Sequence, residues 1–303
     1  MNKNNTHFDT RYFNDNEETI TKNTIIGAYF RYQRILQNIS LSDAAKSMKM
    51  NKGFLSDLER GNRHFPEGTI NQFNDFYLTN FQQNEKTYSQ SYDLLNNAFL
   101  SYFQLNTALE KEYLTSYKNI PEKELHSYGF FTYKLVELFY QVRLANDSDI
   151  ICQLISVLTN NLNVFSNEEK AIFFDICGEY YMQNYSTLFN AEECFKKSNS
   201  YCSKSSIIYA LNIYQLFIIF EQTNRCAYAL LNLPRVKDEL KHTHSYAREC
   251  ILDIYSAKCL IQLGLNDIAQ ENLHVIQYSN ISRIFYEDAT IKRILHRALS
   301  FSY

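Results

Sequence analysis

Glycine and proline are scarce in this sequence, which contains seven and three of them among its 303 residues. These two residue types supply most of the tight turns that a protein built from sheets requires, so their scarcity argues against such a fold. Apolar residues make up 45% of the chain and are sufficient for a core. We therefore predict an all-α protein, long enough for two domains or for one small domain followed by a helical repeat array.

Cysteine occurs in an odd number, and no two cysteines form a CxxC pair. This pattern argues against a disulfide framework and indicates reduced, small core residues of a cytosolic protein. The seven positions are Cys152, Cys177, Cys194, Cys202, Cys226, Cys250 and Cys259. His242 and His244 lack cysteine or acidic partners at ligand spacing, so neither a metal nor any other cofactor is expected.

Motifs of catalysis and of membrane insertion are also missing. The sequence has no glycine-rich phosphate loop, no HExxH, no GxSxG and no nucleophile paired with a base, so we do not expect an enzyme. Asp175 and Glu179 fall one turn apart on a predicted helix, where two carboxylates suit acid/base chemistry or the polar wall of a groove. Residues 1–19 are polar, and the apolar run Leu211–Phe220 is bounded by polar residues. We expect no signal peptide, no membrane span and a cytoplasmic location.

The stretch from Gly27 to Pro66 carries the most specific pattern. A capping box at Ser40 and Asp43 predicts a short helix over residues 42–49, while Asn51 and Gly61 are typical of the cap and the end of another over 52–60. Together with a longer helix before them, these make a helix-turn-helix, and the closing helices of the domain are predicted after Pro66, in residues 68–81. The predicted core consists of Ile26, Phe30, Ile35, Ala44, Ala45, Met48, Leu55, Leu58, Ile70, Phe73, Phe76 and Tyr77.

Charge singles out the same stretch. Residues 22–64 contain eight basic and three acidic side chains, a net charge of 8 − 3 = +5, whereas the whole chain carries −3. A positive region on an otherwise acidic protein suits the binding of phosphates by one domain.

At these residues the chain resembles the Xre or lambda-repressor-like DNA-binding domains. The match is ungapped and runs through Gly27, Phe30, Arg31, Arg34, Ile39, Ser40, Ala44, Ala45, Asn51, Leu55, Ser56, Leu58, Glu59, Arg60, Gly61 and Pro66. The resemblance implies an ion pair between Arg34 and Glu59 and a recognition helix in the major groove. A helical hairpin without a nucleic-acid role is the alternative, but it does not account for the basic charge.

The resemblance also implies which residues contact DNA. Lys52, Gly53 and Asp57 occupy base-reading positions, where Lys52 suits guanine O6/N7 and Asp57 suits cytosine N4. Leu41 stands where the family usually has a glutamine, which puts that phosphate contact in doubt. The full predicted contact set is Asn51, Lys52, Gly53, Ser56, Asp57, Arg60, Asn62 and Arg63, the last three gripping phosphate.

Helical periodicity continues from residue 85 to the end of the chain. One uninterrupted pattern runs from Tyr92 through Leu105 to Leu109, and a later short helix is predicted to end at Leu233, before a proline. Parts of this region resemble tetratricopeptide repeats, on Gly178, Tyr181, Ala191, Phe195, Ala227, Leu231, Gly264, Ala269 and Leu273. A generic α-helical bundle is the alternative. The predicted divisions are a flexible arm at 1–22, a DNA-binding domain at 23–82 and a repeat domain at 85–303.

This order of domains resembles the Rgg/PlcR/PrgX group of transcription regulators. The resemblance implies a homodimer on a two-fold operator in double-stranded DNA, whose repeat domain senses a short signalling peptide, as in quorum sensing. Phasing the repeats by Ala191, Ala227 and Ala269 gives the predicted peptide site: Asn212 as backbone clamp, with Tyr209, Tyr255, Lys258, Arg143, Tyr140, Asp175, Glu179 and Gln183. Two alternatives stay open: Asn212 bonds only a neighbouring helix, or the helical region serves only dimerisation or protein–protein interaction.

Overall fold

The structure is a computed structural model that describes residues 21–183 and 185–278, with side chains up to residue 272. The model is 77% helix, and fifteen α-helices but no strand occur in the described ranges. An isolated β-bridge joins Gln82 to Ser127. The predicted all-α class is confirmed. None of the described helices combines the length and apolar character that a membrane crossing requires.

The helices follow one another with short connections. The first four are α1 (Lys22–Leu36), α2 (Leu41–Ser47), α3 (Lys52–Glu59) and α4 (Thr69–Tyr77). The next five are α5 (Lys86–Phe103), α6 (Thr107–Ser116), α7 (Glu122–Leu125), α8 (Phe130–Tyr140) and α9 (Ser148–Thr159). The last six are α10 (Asn167–Met182), α11 (Leu188–Asn199), α12 (Ile207–Gln222), α13 (Cys226–His242), α14 (Tyr246–Gln262) and α15 (Asn266–Tyr278).

The chain divides into two compact units. Of the described residues, the first unit contains those up to Ala98 together with Lys111–Lys170. The second unit contains Phe99–Glu110 and the residues from Ala171 onward. The predicted boundary between a DNA-binding domain and a repeat domain, near residues 82–85, concerns function and not compactness, and it stays a prediction.

Local capping accounts for the first three helices of unit 1. The side chains of Thr21, Ser40 and Asn51 accept hydrogen bonds from backbone N–H groups in the first turns of α1, α2 and α3. Such caps satisfy donors that a helix leaves without an internal partner. Gly61 follows α3 with φ of +74°, where an added Cβ would lie 2.5 Å from the Cα of Thr24. The predicted N-caps of α2 and α3, Ser40 and Asn51, and the predicted end of α3 at Gly61 are therefore confirmed, whereas α2 ends at Ser47, earlier than predicted.

The core of the α1–α4 segment follows the predicted pattern with two exceptions. Phe30, Ala44, Leu55, Leu58 and Phe73 are fully buried. Ile35, predicted to be buried, is 58% exposed, because five residues beyond Phe30 turn the side chain by roughly 140° on a helix. Phe76, also predicted to be buried, is only partly so.

Helix α1 is buried on a second side by residues of the same unit. Tyr29 Oη lies 2.8 Å from Nδ1 of His126, and the Tyr29 ring packs edge-on against Phe130. Arg31 donates to the carbonyl oxygen of Asn160 at 3.1 Å and to Oδ1 of Asn161 at 2.7 Å. This explains why six successive residues, 25–30, are buried, since a helix packed on both sides has no exposed stripe there.

Two predicted helical boundaries are wrong. The pattern from Tyr92 to Leu109 is broken after α5, because Leu105 has a left-handed φ of +57° and Leu109 is 40% exposed. The helix expected to stop at Leu233 instead continues through Pro234 to His242. Proline removes one helical hydrogen bond but does not forbid the helix when the surrounding residues pack. Here Val236 and Leu240, beyond the proline, are both buried.

Small residues let neighbouring helices of unit 2 approach closely. A Cβ added to Gly178 of α10 would lie 2.6 Å from the ring of Phe195 in α11, and Ala191 and Ala269 have no exposed surface. Ala227, predicted to play the same part in α13, is exposed, and Leu231 is 80% exposed. The buried equivalent is Ala229, which like Ala191 and Ala269 is the fourth residue of its helix.

With Ala229 in place of Ala227, the buried alanines are more evenly spaced along the sequence than predicted. The intervals become 229 − 191 = 38 and 269 − 229 = 40 residues, instead of 36 and 42. Three cysteines of unit 2 (Cys177, Cys226 and Cys259) are buried as expected, but Cys194, Cys202 and Cys250 are only partly buried and Cys152 of unit 1 is exposed. The side chain of Leu273, most of the predicted arm and the helical pattern at residues 286–301 lie outside the described residues.

Candidate functional site

Helix α3 presents the predicted DNA-contact residues on one side. Leu55 and Leu58 are buried and hold the helix against the core. Asn51, Lys52 and Gly53 at its start are exposed, as are Arg60, Asn62 and Arg63 at its end, while Ser56 and Asp57 are half-buried. The Oδ1 atom of Asn51 accepts from the backbone N–H of Gly53 at 2.8 Å. The structure thus brings the whole predicted set onto one face and the turn that follows it.

The predicted pair between Arg34 and Glu59 is present and mostly buried. Arg34 Nε and Nη2 donate to the two carboxylate oxygens of Glu59 at 2.7 and 2.8 Å, and its Nη1 donates to the carbonyl of Ile39 at 2.9 Å. The side chains are 13% and 4% exposed. The hydrogen bond to Glu59 raises the pKa of Arg34. This two-pronged contact ties the end of α3 to α1.

The eight basic residues between positions 22 and 64 divide into two groups. Lys22 contacts Glu85, Arg31 bonds the residues near Asn161, and Arg34 bonds Glu59. The other five are exposed on α2, α3 and the turns beside them: Lys46, Lys49, Lys52, Arg60 and Arg63. With exposed Asp43 and half-buried Asp57, this surface carries 5 − 2 = +3. Lys46, Lys49 and Lys52 lie on α2 and near the start of α3, and Arg60 and Arg63 lie at the end of α3.

Asp57 does not stand alone on this surface. Its Oδ1 accepts from Nη2 of Arg60 at 2.9 Å, and its Oδ2 accepts from Nε of Arg63 at 3.2 Å. The carboxylate predicted to read a base is therefore engaged by two arginines in this structure. The sequence contains all three residues, but their periodicity alone did not indicate that they form one cluster.

In unit 2, the predicted peptide clamp is inaccessible. Asn212 has no exposed surface, and its Nδ2 donates to Oγ of Ser198 at 2.8 Å and to Oδ1 of Asn199 at 3.0 Å. This is the hydrogen bond to a neighbouring helix that we considered as the alternative. Asn212 cannot contact a ligand on the surface in this conformation, because its side chain is buried between its own helix, α12, and α11.

Other predicted peptide residues of unit 2 vary in exposure. Asp175 is fully buried and Tyr209 is 5% exposed, with the guanidinium carbon of Arg235 at 5.4 Å from the Tyr209 ring. Glu179 is half-buried and accepts from Nε2 of a glutamine on α12, and Gln183 is exposed. Burial therefore excludes Asp175 and Tyr209 from a surface site in this conformation.

Tyr255 and Lys258 remain on a partly open part of α14. The Nζ atom of Lys258 lies 5.2 Å from the Tyr255 ring centroid and 3.5 Å from a carboxylate oxygen of Glu221. Tyr140 and Arg143 belong to unit 1. There Lys118 donates to Tyr140 Oη at 2.6 Å, and Arg143 lies in a π-helical turn, Gln141–Ala145.

Sequence reasoning missed a buried polar group in unit 2. Gln215 is 5% exposed, and its Nε2 donates to Tyr102 Oη at 3.1 Å and to Glu179. Arg248 is 3% exposed, and its Nε and Nη2 donate to the carbonyls of Phe103 and Tyr102 at 2.9 and 2.8 Å. The one available signal was a glutamine inside the apolar run of α12, since a buried polar residue requires a partner.

Comparison of the chain with models of known protein families and with curated proteins gives no match. The functional assignment therefore depends on the residues and geometry described above.

Proposed function

We propose that this chain is a cytoplasmic DNA-binding transcription regulator whose helical array senses a short signalling peptide. The observation that carries the first half of the proposal is the cluster of five exposed cations around α3. The other three basic residues of this stretch, Lys22, Arg31 and Arg34, contact Glu85, Asn161 and Glu59 of unit 1. Exposed lysine and arginine on one face supply the sequence-independent part of DNA affinity.

Helix α3 has the form that major-groove reading requires. Its N-terminal residues Asn51, Lys52 and Gly53 are exposed and accessible to base edges, while its buried residues fix it to α1. A helix of this kind carries its specificity in three or four side chains. Two copies of the chain suit a two-fold operator, which is why we propose a homodimer.

Peptide sensing is supported by the stacked helix pairs of unit 2, an arrangement whose inner surfaces suit an extended ligand. Lys258 and Tyr255 offer a cation beside an aromatic ring, and Gln183, directly after α10, is exposed. A peptide carboxylate at Lys258 would compete with Glu221, its present neighbour. Asn212 has no part in this proposal, because it is buried.

A second function is favoured by one observation on α13. Tyr228 is 54% exposed and Leu231 is 80% exposed. Large apolar side chains on one helix suit a protein–protein contact. In this version, the array serves only dimerisation or contact with another protein, and no peptide is sensed.

Genomic footprinting of the full-length protein, with and without culture supernatant from its own strain, tests both halves together. We expect discrete protected sites that change in occupancy when supernatant is added. Lys52→Ala should weaken protection, whereas Lys123→Ala, an exposed lysine on α7, should not. Sites that ignore supernatant would favour the dimerisation version, and a lack of any protection would refute DNA binding.

A further inference from the structure

Asp57 lies at the centre of the exposed α3 surface, between two arginines. Its two carboxylate oxygens each accept one hydrogen bond, from Nη2 of Arg60 at 2.9 Å and from Nε of Arg63 at 3.2 Å. The arginine side chains are both 57% exposed, whereas that of Asp57 is 29% exposed. One partly covered carboxylate therefore holds two exposed cations.

Each guanidinium also has a second contact. Arg60 Nε donates to the backbone carbonyl of Ser56 at 3.2 Å. The guanidinium carbon of Arg63 lies 5.5 Å from the ring centroid of Phe54. Two contacts in different directions orient a planar guanidinium, and the remaining N–H groups stay available for an anion.

We propose that Asp57 is a positioning residue that orients Arg60 and Arg63 toward DNA phosphates and does not read a base. This inference rests on the proposed DNA-binding function. Both carboxylate oxygens already accept from an arginine, so a cytosine N4 amino group would have to share one of these oxygens with a guanidinium. Together the three side chains carry 2 − 1 = +1, which is compatible with a phosphate.

Asp57 could position the arginines or read a base, and the two roles predict different effects of removing it from proteins with and without Arg60 and Arg63. A positioning carboxylate helps binding only while its arginines are present. Without them it merely repels phosphate, so its removal should then strengthen binding. A base-reading carboxylate, in contrast, should affect one base pair of the site, whichever residues surround it.

The test is a double-mutant cycle on the full-length protein. The probes are a pool of DNA duplexes with a randomised centre, followed by a fluorescently labelled duplex from the selected pool. We expect Asp57→Ala to weaken binding to all sequences by the same factor, about fivefold, with unchanged base preferences. Added to Arg60→Ala/Arg63→Ala, the same change should strengthen binding. Asp75→Ala, an exposed acid on α4, is the control and should not weaken binding in either background.

Two outcomes would overturn the inference itself, and a third would overturn the proposed function on which it rests. Relaxed preference at a single base pair in Asp57→Ala would make Asp57 a base reader. Tighter binding in both backgrounds would show that it only repels phosphate. If the wild-type protein enriches no DNA, the proposed function itself fails. In that case nuclear magnetic resonance of the arginine Nε–H groups in Asp57→Asn still reports whether the cluster forms, so the two failures are distinguishable.

Discussion

Replacing Glu59 by alanine should destabilise the α1–α4 segment far more than removal of an ordinary surface carboxylate. The substitution leaves Arg34 with its bond to the Ile39 carbonyl but without the two bonds to the carboxylate. Breaking a buried ion pair costs about 3–5 kcal/mol, because the remaining charge stays desolvated. Arg34 is 13% exposed, so water reaches part of it, and we expect a loss near the lower end, about 3 kcal/mol.

A matched control lies in the same unit. Glu137 pairs with Lys134 on α8 at 2.7 Å, with side chains that are 23% and 30% exposed. Such pairs contribute about 1 kcal/mol or less, so Glu137→Ala should change little. Glu59→Gln should fall between the two, because the amide keeps one acceptor for Arg34 but no charge.

Hydrogen exchange measured by mass spectrometry suits this prediction, since it reports each segment of a two-unit chain separately. A loss of about 3 kcal/mol corresponds to exchange on the order of a hundredfold faster in peptides from α1 and α3. The control should stay within about fivefold of the wild type. Equal exchange in Glu59→Ala and Glu137→Ala would refute the reasoning, because the buried pair would then contribute no more than a half-buried one.

Three further outcomes are expected. Arg248→Lys should lower the calorimetric melting temperature of the full chain, because lysine cannot reproduce the fork that reaches the carbonyl of Phe103. Pro234→Ala should raise the melting temperature and increase the free energy of unfolding by up to about 3 kcal/mol, because α13 regains a hydrogen bond near Leu230. Burial raises the pKa of Glu169 above its ordinary 4.5. Between pH 4.5 and the raised pKa, the folded state therefore binds more protons than the unfolded state. The stability from this group is present below pH 4.5 and lost as pH rises through the folded pKa. Glu169→Gln should flatten that dependence in urea titrations repeated across pH.

Much of the secondary structure could be predicted, because its signals are local. Caps such as Ser40 and Asn51 lie within three residues of the donors they satisfy. The failures arose where packing overrides local preference. Pro234 sits inside a helix, and the buried small residue of α13 is Ala229 and not Ala227. Two alanines so close in sequence cannot be ranked until the helix start is known.

The candidate site was predictable in position and less so in detail. The net positive charge of residues 22–64 could be counted from the sequence, but the sequence did not show which of these basic residues are exposed and which are bonded to other residues of unit 1. The Oδ1 that Arg31 bonds belongs to a residue 130 positions away. Asn212 illustrates the opposite error, since a central amide in an array suggested a clamp, whereas helix packing buries it completely.

Helix α1 connects α3 to the rest of unit 1. A side chain in place of Gly27 would clash with the carbonyl oxygen of Leu58, so the backbones of α1 and α3 are in close contact. On its other side, α1 is bonded through Tyr29 to His126 and through Arg31 to Asn161. A movement of the segments carrying these residues must therefore either carry α1 and α3 with it or break these bonds. For a regulator of the proposed kind, α1 is the element through which such a movement would change the orientation of the DNA-contact surface.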